Sequence, residues 1–210
     1  MEPVFRGVGV ALVALFDEDG EIDVAATASH AARLVEAGIQ GVLVSGSTGE
    51  APALSAEERV LLLEGVRDAV PDGVPVLAGT GAASARQAAA LTLSASEPGI
   101  PLEVLSTLPV AGIKDSSGEP DRLLAELEWG KPVYTGSSAI LSFAGPLGCA
   151  GAILSLANVE PDGCIAAFTG DAAAQRRLAA AHRASRVDFP RGLKEMMSAR
   201  FGTSPVGRMG

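Results

Sequence analysis

Residues 41–50 read GVLVSGSTGE: an apolar run that ends at glycines, hydroxyls and a carboxylate. Val42, Leu43 and Val44 are apolar at successive positions. A strand with one wet face alternates, so this one is expected to be buried on both faces. The glycines beyond it suit a tight turn that exposes backbone N–H groups. The same grammar recurs outward in both directions: GVGVALVALF at 7–16, VPVLAG at 74–79, VAGIK at 110–114, PVYTG at 132–136 and GAILSLAN at 151–158.

Helical patterns separate these runs. The first covers roughly Asp23 to Ala37, with Gly38 where a C-cap belongs. Ser55 followed by Glu58 forms a capping-box signature for a helix to about Val70. An Ala-rich helix is expected from Ser84, then helices at Asp121–Glu128 and Ala139–Leu147, and one long helix after Pro161 within a C-terminal helical segment of about 160–202. Strands apolar on both faces, alternating with helices, imply a parallel sheet covered by helices. The fold class is α/β, one barrel domain over 1–210. The chain supplies about six strands where a closed (β/α)8 TIM barrel needs eight. The passage LTLSASEPGIPLEVL (91–105) contains no strand.

The formal net charge of −9 opposes nucleic acid and anionic membrane surfaces. An anionic substrate must then be captured locally, by a lysine or by backbone N–H groups. Cys149 and Cys164 have no metal-ligand spacing with each other or with His30 and His182, so they are expected in the core, with no metal site. With no signal-like leader and no apolar run of membrane-spanning length, a cytoplasmic protein is expected.

Three lysines occur, Lys114, Lys131 and Lys194, and Lys114 alone ends an apolar strand. In a barrel that position lines the active site. Desolvation there disfavours the ammonium and frees an amine that can attack a ketone. The alternative is a packed stem with its head in water. Ser47 and Thr48 add hydroxyls to a turn able to hold a carboxylate; the alternative is an ordinary βα turn, with Glu50 pairing or capping inside it. The stretch GTGAAS (79–84) lacks the third glycine of a dinucleotide fingerprint. Tyr134 and Trp129 read as structural. His30 and His182 lie in helical patterns without evident partners.

Taken in order, GVGVALVALF, GVLVSGSTGE, VPVLAGTG, AGIKDSSG and VYTGSSAILSFAGPLGCAGAILSLAN resemble the dihydrodipicolinate synthase and N-acetylneuraminate lyase family. The resemblance implies a (β/α)8 barrel, usually tetrameric or dimeric, without cofactor. It implies a Schiff base between Lys114 and pyruvate or another 2-keto acid, which then reacts with an aldehyde such as aspartate semialdehyde. It also implies a carboxylate-binding turn at Ser47 and Thr48, Ser47 in the proton-relay position, and Ile153 beside pyruvate. Ser47 in place of a threonine is similar to sialic acid lyases and some hydroxy-oxoglutarate aldolases. The family's strand-5 tyrosine relay and substrate-binding arginine have no matching positions, because the passage from Ala95 to Pro98 skips strand 4, its helix and strand 5. A non-catalytic keto-acid-binding homologue is therefore the alternative. A barrel lacking two adjacent strands would leave open parallel edges, so this passage is expected to join pieces of a longer polypeptide.

Overall fold

The computed structural model describes residues 2–80 and 110–209. The helix expected from Ser84, residues 81–84 of the GTGAAS stretch and the passage around Ala95 lie outside them. Six parallel strands form the sheet: β1 (Gly7–Ala11), β2 (Val42–Val44), β3 (Val76–Ala78), β4 (Ile113–Asp115), β5 (Val133–Thr135) and β6 (Gly151–Leu154). Their spatial order is β3-β2-β1-β6-β5-β4, an arc of a (β/α)8 barrel. Seven helices accompany it among the described residues: α1 (Val24–Glu36), α2 (Ala56–Ala69), α3 (Pro120–Leu127), α4 (Leu141–Ala144), α5 (Pro161–Phe168), α6 (Ala172–Ala184) and α7 (Arg191–Phe201).

The caps follow the sequence. Ser55 Oγ accepts from Glu58 N–H and Glu58 returns a bond to Ser55 N–H, closing the capping box of α2. Asp23 caps α1 through Ala26 N–H at 2.8 Å, and Gly38 follows its last turn with φ +98°. The single long helix expected after Pro161 is instead α5, α6 and α7. Gly170 at φ +103° stops α5, and Asp171 starts α6 by accepting from the N–H groups of Ala173 and Ala174. A left-handed residue followed by a cap cannot lie inside one continuous helix.

Register sorts the two sheet faces. Val8, Val10, Val42, Val44, Ala152 and Leu154 join Leu34, Leu62 and Cys164 in the main core beneath the helices. Ala11, Tyr134 and Ile153, with Leu43 and Leu77 against them, cluster on the inner face around Phe5. Phe5 precedes β1 and packs where Gly9 and Gly41 have no side chains; a Cβ on either would lie 2.6–2.8 Å from its ring. Tyr134 fixes this plug, its hydroxyl donating to Phe5 O at 2.8 Å and accepting from Phe5 N–H at 3.2 Å. Cys149 and Cys164 are buried and reduced, and burial pushes their thiols up to about 11 and about 12. Among the described residues no helix is long and apolar enough to cross a membrane.

Candidate active site at the C-terminal rim of the sheet

Neighbouring residues of parallel strands share a face. Lys114 pairs with Tyr134, Tyr134 with Gly151, and Gly9 with Ile153. Gly151 and Ile153 are two apart on β6, so Lys114, Tyr134 and Ile153 all belong to the inner face. Lys114 Cε packs where Gly136 lacks a side chain: a Cβ there would lie 2.7 Å from it and would also meet Ser116 Oγ. The next residue, Asp115, turns to the other face and is buried. It binds Ser117 through N–H (3.1 Å) and hydroxyl (2.6 Å), shaping the turn after β4. Arg122 Nε lies 3.4 Å from Asp115 and 2.8 Å from Glu126. Burial, reinforced by Asp115, raises the Glu126 carboxyl above its ordinary range.

The expected desolvation of Lys114 is not observed. Its side chain is exposed; among the described residues β4 ends the sheet, with a strand neighbour on one side.

The turn after β2 is tightly specified. Ser45 is left-handed at φ +56° and buried, and its hydroxyl has no hydrogen-bond partner among the described residues. Backbone strain of this kind gathers at functional sites. Residues 47–49 form one 3-10 turn, and the N–H groups of Gly49, Glu50 and Ala51 bond back to the carbonyls of Gly46 and Ser47. The N–H groups of Ser47 and Thr48 make no backbone hydrogen bond among the described residues. Ser47 is exposed and Thr48 buried.

Glu50, also left-handed at φ +53°, does more than pair within its loop. Its carboxylate is fully buried and bonds Lys194 Nζ on α7. Its second oxygen accepts from the N–H groups of Arg208 and Met209, both at 2.7 Å. Lys194 also donates to Val206 O at 2.8 Å and lies 4.3 Å above the Phe16 ring. Burial is the main influence on Lys194, lowering its pKa against the pull of Glu50. The turn is thus fastened to residues 194–209. His182, expected without a partner, places Nδ1 2.8 Å from Ser138 Oγ, and Gln175 donates to Ser138 O at 2.9 Å; both secure the loop after β5 to α6.

Sequence reasoning missed Ser45, Gly136 and Lys194. Gly136 follows a strand end, and Lys194 lies between apolar Leu193 and Met197 on its helix; Ser45 carries no comparable signal. Among the described residues no group of three His, Cys, Asp or Glu side chains could hold a metal ion.

The dihydrodipicolinate synthetase family pattern matches residues 4–109, half of the chain. A DapA-like lyase of Halobacterium salinarum is 30% identical, over 75% of this chain and 69% of its own length. The chain belongs to the dihydrodipicolinate synthetase family. A 4-hydroxy-tetrahydrodipicolinate synthase of Synechococcus sp. (strain CC9605) is 45% identical over 95 residues, which are 45% of this chain and 32% of that synthase. The chain thus spans about a third of the length of this relative. A prophage protein of the dihydrodipicolinic acid synthase family from E. coli K12, solved in complex with pyruvate, superposes with a TM-score of 0.82 at 22% identity, covering 98% of this chain and 92% of that one. At that identity the likeness concerns the fold. The family's barrel is the one whose arc β1–β6 traces.

Proposed function

We propose that the chain is a class I pyruvate-dependent lyase or aldolase, with Lys114 as the Schiff-base nucleophile. The observation that carries this is the inner-face placement of Lys114 with Ile153, at the same end of a parallel sheet as a strained turn whose Ser47 and Thr48 N–H groups make no backbone hydrogen bond among the described residues. In this reading the turn holds the carboxylate of a 2-keto acid. The Lys114 amine adds to the keto carbon, and water leaves with the carbonyl oxygen. The resulting iminium draws electrons from the adjacent carbon, whose proton departs to give an enamine. The enamine attacks an aldehyde carbon, and water then restores the ketone and the free amine. Ile153 forms the apolar wall beside the bound acid. The relative named a 4-hydroxy-tetrahydrodipicolinate synthase favours aspartate semialdehyde as the aldehyde, whereas Ser47 favours sialic acid lyase or hydroxy-oxoglutarate aldolase chemistry.

Borohydride reduction in the presence of pyruvate should add one reduced pyruvate at Lys114 and inactivate the site. A folded chain that acquires no adduct refutes the nucleophile.

One observation favours a second reading, a keto-acid-binding homologue without turnover. The chain has a single tyrosine, and Tyr134 commits its hydroxyl to the Phe5 backbone, so no tyrosine is available as a proton relay. Trapping without consumption of any aldehyde in a panel would select this reading over catalysis.

A further inference from the structure

Two exposed surfaces of opposite charge share no residue with the Lys114 site. The first is the outer face of α2. Glu57, Val60, Leu61, Glu64 and Asp68 follow the three- and four-residue steps that bring side chains to one side of a helix, and all five are exposed. The opposite side buries Leu62 and Val66, and the outer face of such a helix is ordinarily polar. Val60 and Leu61, between Glu57 and Glu64, are instead 52% and 51% exposed. Glu57, Glu64 and Asp68 make no ion pair among the described residues. The arginines of α2 are engaged elsewhere: Arg59 donates to Ala51 O, and Arg67 to the carbonyls of Val70, Pro71 and Val74.

The second surface runs from α6 to the start of α7. Arg176, Arg177, Arg183, Arg186 and Arg191 stand in residues 176–191, where Asp188 is the one acid, in a chain of net charge −9. All five are exposed. Arg177 pairs with Asp171 and Arg191 with Glu195, whereas Arg183 and Arg186 make no ion pair among the described residues. Both crowd His182, which burial and then these two cations hold below its ordinary pKa. Beside them Val187 and Phe189 are 62% and 42% exposed. The loop that presents them is tightly wound. Val187 donates to Ala184 O and accepts from Gly192 N–H, both at 3.2 Å, and a Cβ on Gly192 would lie 2.4 Å from Val187 O. A backbone already fixed loses little freedom when its side chains are covered.

Each surface offers what the other lacks. The α2 stripe sets carboxylates around two apolar side chains, and the loop sets guanidinium groups around two more. A long polyanion would answer the arginines, but the net charge of −9 opposes it, and it leaves the exposed apolar residues uncovered. A second copy of this chain answers both charge and apolar surface. Because the two halves differ, such a contact is head-to-tail, and its repetition builds a ring or an open chain of copies. We propose that α2 of one copy docks on the 183–191 loop of the next, Val60 and Leu61 against Val187 and Phe189, with the α2 carboxylates facing Arg183 and Arg186. Exposed ion pairs are individually weak, so the contact is of the small, transient class. At about 0.15 M salt, screening over about 8 Å mutes the repulsion between net charges and spares pairs in contact. The proposal does not rest on the role given to Lys114.

Sedimentation over a range of protein concentrations at about 0.15 M salt reads the contact as weight-average mass. Arg183→Glu/Arg186→Glu and Glu64→Lys/Asp68→Lys each bring like charges face to face and should weaken the association by about tenfold or more. The lysine variant does so while lowering the net negative charge, so a loss there is not general repulsion. Leu61→Ser changes no charge, should also weaken the association, and decides if either charge variant fails to fold. Mixing the two charge variants brings an intact stripe to an intact loop and should restore the association that each has lost. The proposal is overturned by a parent no heavier than the folded variants at the same concentration, by indifference to Leu61→Ser, or by a mixture no heavier than its components.

Discussion

Replacing Lys194 by methionine tests how the Ser47–Thr48 turn is held. Methionine keeps most of the apolar stem over Phe16 but removes the ammonium. The Glu50 carboxylate, 0% exposed, is then left with two N–H donors, from Arg208 and Met209. Stranding one member of a buried ion pair costs about 3–5 kcal/mol. For a chain of this length each kcal/mol moves the melting temperature by about 2–4 °C, so Lys194→Met should melt about 6–20 °C lower. Glu50→Gln strands the ammonium instead, with Val206 O and the Phe16 face for company, and should also destabilise strongly. The double variant Glu50→Gln/Lys194→Met removes both charges and both desolvation penalties, and should recover to within about 2 kcal/mol of the parent. Urea unfolding of the four proteins completes the cycle, repeated at high salt because a fully buried pair is screened little. Two results would refute the reasoning: a Lys194→Met protein within about 0.5 kcal/mol of the parent, or a double variant that loses the sum of the single losses.

His30, pressed from 6.5 to about 4 chiefly by burial, binds fewer protons folded than unfolded between those values; its stabilising contribution is complete above about pH 6.5 and should fall by about 3 kcal/mol as pH drops toward 4. The difference in unfolding free energy between the parent and His30→Gln should therefore vary across that window, and parallel curves contradict the assignment. Tyr134→Phe removes both bonds to the Phe5 backbone and should cost about 1–3 kcal/mol in urea unfolding while leaving borohydride trapping intact; lost trapping with unchanged stability would reverse the structural role given to this residue. Gly136→Ala drives a Cβ against Lys114 Cε and Ser116 Oγ, and overpacking of about 1–3 kcal/mol should slow trapping by roughly ten- to a hundredfold. Unchanged trapping kinetics in Gly136→Ala would show that the lysine does not use that space.

The parts of the fold that could be read beforehand are those written in local code. Val42–Val44 and Gly151–Leu154 are apolar on both faces, which only a covered parallel strand requires, and Ser55 with Glu58 carries its helix start in the spacing of two residues. The C-terminal helices were misjudged because alanine-rich runs drown their own punctuation, although Gly170 and Asp171 stand in the order that ends one helix and begins the next. Other features depend on distant partners. Nothing near Glu50 announces Lys194, 144 residues away, and nothing in the run from Val42 to Ser45 announces a left-handed serine. β4 ends the described sheet, so strand pattern placed Lys114 without setting its exposure.

The fastening of Glu50 has a temporal meaning as well. A ribosome delivers the turn at residues 45–50 long before residues 194–209, and until those arrive the Glu50 carboxylate meets water where it later meets Lys194, Arg208 and Met209. Its burial therefore follows the formation of the β2 turn, since contacts so far apart in the chain close late. A nascent chain halted before α7 would carry Lys114 and the whole of β1–β6, yet the turn at residues 45–50 would lack its partners. Arrival of residues 194–209 is what closes the shell around the Glu50 carboxylate.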